Sequence, residues 1–207
     1  MDNELELRFV NYVGSILGHQ YLPQNSHEWF ISFGTLLYFL RDKPMGIKFK
    51  GDFDVSLIHG QIDHQRLITS FGEYGFVLKN KVVDDRTGIP FQLVFKSEQY
   101  KTSVDVYFWV KANGYWWHTY DYQNLFPKKG VLPNYVFKGT NKHAFEGDYS
   151  RYTWDDRIPA LNLPKKYGTL LDIWYPGWFI PDRNFGQSHA EKTVELKTCK
   201  HLKEYLK

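Results

Sequence analysis

The run from Thr102 to Val110 reads Thr-Ser-Val-Asp-Val-Tyr-Phe-Trp-Val and is dominated by β-branched and aromatic side chains. Such a composition predicts a strand within a sheet. One carboxylate, Asp105, stands between Val104 and Val106 in the middle of it. A charge buried in so apolar a strand needs a partner or a metal ion. Whatever the chain folds into must therefore bring polar groups from another segment to this one.

The stretch from Phe30 to Ile58 is the candidate source. Its first apolar run enters Gly34-Thr35, continues through Leu36 to Leu40 and ends at Arg41; after a loop with Pro44 and Gly46, a second run opens with Asp52-Phe53-Asp54. Asp52 and Asp54 are two apart at the head of a predicted strand, so they share a face and can converge on one cation. Asp105 completes a carboxylate set if its strand is the neighbour. Ligands that offer only oxygen suit magnesium or manganese. Upstream, Gly34 permits close backbone approach to a phosphate, Thr35 offers a hydroxyl, and Arg41 a permanent charge that can bind phosphate bidentately. Lys48 can reach phosphates from an extended loop or serve only to solvate it.

The remaining pattern interleaves helices and strands. Leu5, Phe9, Val13, Ile16 and Leu17 recur at helical spacing and predict an opening helix that ends near Gly18. A buried strand from Trp29 to Phe33, a helix from Thr35 to Leu40, a strand from Phe53 to Ile58 and a helix from Gln61 to Phe71 follow. Further strands are expected from Gly75 to Lys79 and Phe91 to Lys96, with a turn at 84–88 between them. Asn113-Gly114 predicts a hairpin joining the Asp105 strand to one from Tyr115 to Tyr122. The span 126–163 reads as loops and short strands. Pro164 suits the first turn of a helix to Trp174, and a last helix is expected over 188–206. The sum is a single α+β domain covering 1–207.

Composition limits the function classes. The chain has 207 residues and a net charge of +3, too small and scattered for nucleic acid to be the default partner. Its C-terminal basic run is interrupted by Glu191, Glu195 and Glu204, as on a solvated helix face. Aromatic residues make up 18%, most of them assigned to the core. Trp116 and Trp117 are head-group candidates, able to face a quaternary ammonium, although packing in the core or on a sheet face is the simpler account of them. A single cysteine, Cys199, excludes an internal disulfide. The acidic start, Met1-Asp2-Asn3-Glu4, is unlike a signal peptide, and no stretch has the apolar length of a membrane span, which together predict a cytoplasmic protein.

The series Gly-Thr-Leu-Leu at 34–37, Arg41, Asp-x-Asp-Val at 52–55, Val-Asp-Val at 104–106, Leu-Phe-Pro-Lys at 125–128, Leu-Pro-Lys-Lys-Tyr at 163–167 and Tyr-Pro-Gly-Trp at 175–178 resembles, in order, the LicD family. That family comprises nucleotidyltransferase-fold phosphocholine transferases and fukutin-type ribitol-phosphate transferases. The resemblance spans about residues 29–181. Phe49-Lys50-Gly51 stand where family members often carry a Trp and further acids. The likeness implies a nucleotidyltransferase-like mixed β-sheet flanked by helices, with Asp52, Asp54 and Asp105 as metal ligands and catalytic residues. It also implies Gly34 and Thr35 at the donor phosphate, with Arg41 supporting their loop. The implied activity is transfer of a phospho-alcohol from a CDP-activated donor to a glycan or glycolipid hydroxyl. Two other readings are carried: a nucleotidyltransferase moving NMP from an NTP to a small molecule or protein, and a non-catalytic carbohydrate- or head-group-binding module.

Overall fold

The structure, a computed structural model, describes residues 3–18, 29–49, 51–58, 63–83, 90–112, 115–117, 121–125, 134–141, 145–146, 149–152, 161–164, 167–175, 177–180 and 193–194. It opens with helix α1 (Asn3–Gly18), which buries Phe9, Val10, Val13, Ile16 and Leu17, the stripe that its periodicity predicts. Strand β1 (Trp29–Ile31) leads into the short helix α2 (Phe33–Leu37) and directly into a π-helical turn (Tyr38–Asp42). Strand β2 (Phe53–Ile58), helix α3 (His64–Glu73), and strands β3 (Val77–Val83), β4 (Pro90–Ser97) and β5 (Thr102–Ala112) follow. The later elements are β6 (Tyr115–Trp117), β7 (Asp121–Leu125), β8 (Asn134–Asn141), β9 (Phe145–Glu146), β10 (Tyr149–Tyr152), β11 (Leu161–Pro164), α4 (Tyr167–Trp174) and β12 (Thr193–Val194).

These elements make an α+β fold around a mixed sheet in the order β1-β2-β5-β4-β3, continued through β8 to β12. β2 and β5 lie parallel at its centre, while β1 with β2, β4 with β5 and β3 with β4 are antiparallel. From Phe53 to Leu57 every residue of β2 is buried, as a strand covered on both faces requires. On one face Phe9 of α1 meets Phe53 edge-on at 5.3 Å between ring centroids, and Phe71 of α3 stacks on Phe95 at 4.2 Å. On the other, Phe33 of α2 packs against Tyr107 at 4.7 Å. Much of the aromatic content thus fills the core. Among the described residues, no helix is long and apolar enough to cross a membrane.

Several boundaries differ from the sequence reading, each for a local reason. The first strand stops at Ile31 rather than Phe33 because Ser32 already accepts the Leu36 N–H bond that starts α2, and Phe33 takes a left-handed φ of 44°. For a bulky side chain that conformation costs about 1–3 kcal/mol, tolerated where surrounding contacts hold it. The helix expected from Thr35 to Leu40 is shorter and gives way to the π-helical turn. α3 starts at His64, since the Asp63 carboxylate caps the Gln65 and Arg66 N–H groups. Pro164 closes β11 opposite Tyr149 instead of opening a helix; α4 begins at Tyr167.

Over 188–206 the described residues are Thr193 and Val194 alone, and they run extended beside Asn141 and Thr140 of β8, not as a helix. The turns expected at 84–88 and at Asn113-Gly114 lie outside the described residues. The pairing that the second turn would serve is present, with Val110 opposite Trp117.

Candidate active site

The parallel pairing of β2 and β5 sets Asp54 directly beside Asp105. In a parallel ladder, residues in register project from the same face, so the two carboxylates share one side with Tyr107. The Tyr107 hydroxyl lies 3.4 Å from both Asp54 Oδ1 and Asp105 Oδ2. Gln92, opposite Tyr107 on β4, donates from Nε2 to Asp105 Oδ2 at 3.0 Å. Asp105 Oδ1 is buried and has no hydrogen-bond partner.

Asp54 is gripped by the turn that precedes α2. The Thr35 N–H donates to Asp54 Oδ2 at 3.3 Å, and the Asp54 N–H donates to Thr35 Oγ1 at 2.7 Å. Thr35 Oγ1 in turn donates to the Asp52 carbonyl at 3.4 Å. Gly34 has to be small here: a Cβ at this position would stand 3.2 Å from Asp54 Oδ2. The turn's N–H groups therefore face a carboxylate of the chain itself, and the buried Thr35 hydroxyl braces the start of β2. Neither is presented openly to a phosphate, the role that the sequence suggests. A five-residue helix also supplies little dipole to attract one.

Asp52 is exposed, and its Oδ1 accepts a hydrogen bond from Ser103 Oγ across the same pair of strands. Gly51, just before it, has φ 111°, a conformation that suits only glycine, and its carbonyl accepts from Thr102 Oγ1 at 2.7 Å. Two anchored residues in succession thus determine where β2 meets β5.

Arg41 is committed to groups within the chain. Its Nε bonds to Asp42 Oδ1, and its Nη1 donates to the Trp178 carbonyl at 2.8 Å. It joins the π-helical turn to the 177–180 turn, a supporting part rather than a phosphate clamp. Lys48 is exposed in the segment between the turn and β2. Trp116 and Trp117 lie on β6, beside the Val110–Ala112 end of β5 and away from the end that holds Asp105, and only their backbone is described: Trp116 pairs with Lys111 and Phe145, Trp117 with Val110.

The electrostatics follow from this crowding. Burial, then the charges of Asp105 and Asp52, raise the Asp54 carboxyl well above the usual range, against the pull of the Thr35 and Gly34 N–H groups. Burial, then Asp52, push Asp105 up to about 7, while Tyr107 and Gln92 hold it down. Like charges at close quarters resist ionising together, and a cation relieves them. The donors are all oxygen, and the unpartnered Oδ1 of Asp105 is a vacant acceptor beside Asp54, so a hard divalent ion fits this chemistry. Among the described residues no three or more His, Cys, Asp or Glu side chains form a preassembled metal group. What the fold presents is the in-register Asp54–Asp105 pair, with Asp52 near enough for its charge to act on both while its Oδ1 is held by Ser103.

Tyr107, Gln92 and Ser103 do not figure in the sequence reading. Tyr107 was within reach of it, since the period of two that places Asp105 on one face of β5 places Tyr107 there as well. Gln92 and Ser103 depend on strand neighbours that sequence pattern does not reveal. The chain matches no protein-family model, and no curated protein matches it.

Proposed function

We propose that the protein is a metal-dependent phosphotransferase of the LicD type, with a nucleotidyltransferase-like sheet, that moves phosphocholine or a polyol phosphate from a CDP-activated donor to a glycan hydroxyl. The observation that carries this reading is the in-register pair Asp54 and Asp105 with the unpartnered Asp105 Oδ1 between strands β2 and β5. Magnesium or manganese, when bound by Asp54 and Asp105 with help from Asp52, would neutralise charge on the phosphoryl oxygens. Asp105, at a pKa of about 7, is suited to take the proton of the attacking hydroxyl near neutral pH. The new bond joins the acceptor oxygen to the distal phosphorus. The bond from that phosphorus to the bridging oxygen breaks, and CMP leaves. Thr35, Gly34, Tyr107 and Gln92 hold the two carboxylates in place and do not themselves react.

The test is product analysis with CDP-choline, CDP-ribitol and CDP-glycerol plus magnesium, in the presence of candidate glycans. Release of CMP that disappears in Asp54→Asn, with folding intact by circular dichroism, supports the reading. Pyrophosphate release from an NTP, dependent on the same residue, would favour the nucleotidyltransferase alternative. Absence of metal-dependent cytidine nucleotide binding by calorimetry would leave the binding module as the better account.

A further inference from the structure

Gly34 has no side chain, and the point where one would begin is faced by two polar atoms from segments far apart in the sequence. A Cβ built there would stand 3.2 Å from Asp54 Oδ2 and 3.8 Å from the Tyr175 hydroxyl. Tyr175 is buried just past the end of α4, and its N–H donates to the Leu171 carbonyl at 2.7 Å. A phenol oxygen is thus brought beside the carboxylate pair by an element that belongs neither to the central strands nor to the α2 turn. Three hydrogen bonds fix the chain just after it. Arg41 Nη1 donates to the Trp178 carbonyl at 2.8 Å, the Trp178 indole N–H donates to Asp172 Oδ1 at 3.0 Å, and the Ile180 N–H donates to the Gly177 carbonyl at 3.0 Å. Because Arg41 lies in the π-helical turn that continues α2, the segment holding Tyr175 is joined to the one holding Gly34.

A divalent ion on two carboxylates can take a phosphate, and the oxygens of that phosphate also call for hydrogen-bond donors. The donors nearest the pair are spent on the carboxylates themselves. The Thr35 and Gly34 N–H groups serve Asp54, Gln92 serves Asp105, Ser103 serves Asp52, and the Tyr107 hydroxyl stands between the two buried acids. The Arg41 guanidinium is held by Asp42 and Trp178. The Tyr175 hydroxyl is a further donor turned toward the same place as Asp54 Oδ2. A hydroxyl offers one donor and two acceptor sites and rotates to suit its partners, and a neutral phenol is buried beside acids at far lower cost than a charge. Gly34 leaves the approach to both atoms clear, since any side chain at that position would stand against them.

We infer that Tyr175 is a ligand-binding residue of this site, its hydroxyl donating to a phosphate oxygen of the molecule that the cation on Asp54 and Asp105 holds. This role rests on the proposed reading of that pair as a cation site, and supplies a phosphate contact that Thr35 and Arg41 do not make. The experiment is calorimetry of the full chain with manganese alone, then with CDP and with inorganic pyrophosphate in the presence of manganese. Wild type is compared with Tyr175→Phe, which keeps the ring and removes only the oxygen. Manganese affinity should stay within about twofold, while CDP and pyrophosphate should each bind about tenfold or more weakly, the worth of one hydrogen bond to a charged group. In the wild type, the Cζ signal of Tyr175 in labelled protein should move when pyrophosphate joins magnesium and hold still with magnesium alone, a readout that needs no variant to fold. Equal affinities of wild type and variant for both ligands, or a Cζ signal that pyrophosphate does not move, overturn the inference and leave the cation site standing. A loss confined to CDP overturns it too, since the hydroxyl would then serve the nucleoside. So does an equal loss for manganese alone, which would make Tyr175 a brace of the carboxylates. Absence of manganese binding by the wild type removes the cation site and this role together.

Discussion

Thr35 and Asp54 hold each other twice, backbone N–H to carboxylate in one direction and backbone N–H to hydroxyl in the other. The pair joins the turn after β1 to the first residues of β2, and both partners are buried. Removing the hydroxyl would leave the Asp54 N–H without an acceptor in a place that water does not reach. Thr35→Val should therefore destabilise the protein by about 1–3 kcal/mol in urea unfolding, whereas Thr35→Ser, which keeps the oxygen, should cost less. Equal losses for the two would mean that the methyl group, not the hydroxyl, is what matters.

Gly34 tests the closeness of the same contact. Gly34→Ala places a Cβ 3.2 Å from Asp54 Oδ2, so the carboxylate must move by a few tenths of an ångström. Overpacking of this kind costs about 1–3 kcal/mol. Turnover should fall more than a melting shift of that size explains, because the displaced group is Asp54 itself. An alanine variant of unchanged activity would show that the position of Asp54 is not critical.

Stability should depend on pH with a definite sign. Asp105 titrates near 7 in the folded chain and near the usual carboxylate value when unfolded, so between those limits the folded state holds more protons. Its favourable contribution is complete below the unfolded value, is lost as pH rises through 7, and is flat beyond. Asp54, raised in the same direction, adds to the slope. The metal-free protein should melt at a lower temperature at pH 8 than at pH 5, Asp105→Asn should reduce the difference, and magnesium should restore stability chiefly at the higher pH. Scanning calorimetry across that range, with and without magnesium, decides the matter.

Tyr107 and Gln92 both favour the charged form of Asp105. Tyr107→Phe and Gln92→Leu should each raise its pKa further, moving the midpoint of the pH–stability curve to higher pH. Side-chain carboxyl signals in an NMR titration report the shift directly. A midpoint that moves down, or stays, would contradict the hydrogen bonds drawn to Oδ2.

Local pattern carried a good part of this site. The strand holding Asp105, the strand from Phe53 to Ile58 and the shared face of Asp52 and Asp54 follow from a period of two and from β-propensity, and β2 has the bounds expected of it. Parallel neighbourhood of β2 and β5 was a condition in that reading; the register that meets it is a long-range property with the pairing strand some fifty positions away. Polar side chains were harder to read. Thr35 and Arg41 have the chemistry to bind phosphate, yet each is committed to groups within the chain, because a buried hydroxyl or guanidinium takes the nearest partner that folding supplies. The last helix expected from charge spacing failed at Thr193 and Val194, where an available strand edge on β8 outweighs helical preference.

Glu6 of α1, itself buried, accepts from the Tyr38 hydroxyl at 3.0 Å and from Lys43 Nζ at 2.7 Å. Burial and this acid keep the Tyr38 phenol protonated, so it remains a donor. The turn that carries Arg41 is thereby tied to the first helix of the chain, which also supplies Phe9 to the ring cluster under β2. A fragment cut to the 29–181 span of the family likeness would lose that acid and bare an oily wall beneath the strand of Asp54. α1 is thus part of the chassis of the site: its Glu6 and Phe9 brace the turn of Arg41 and the strand of Asp54 from the far end of the sequence.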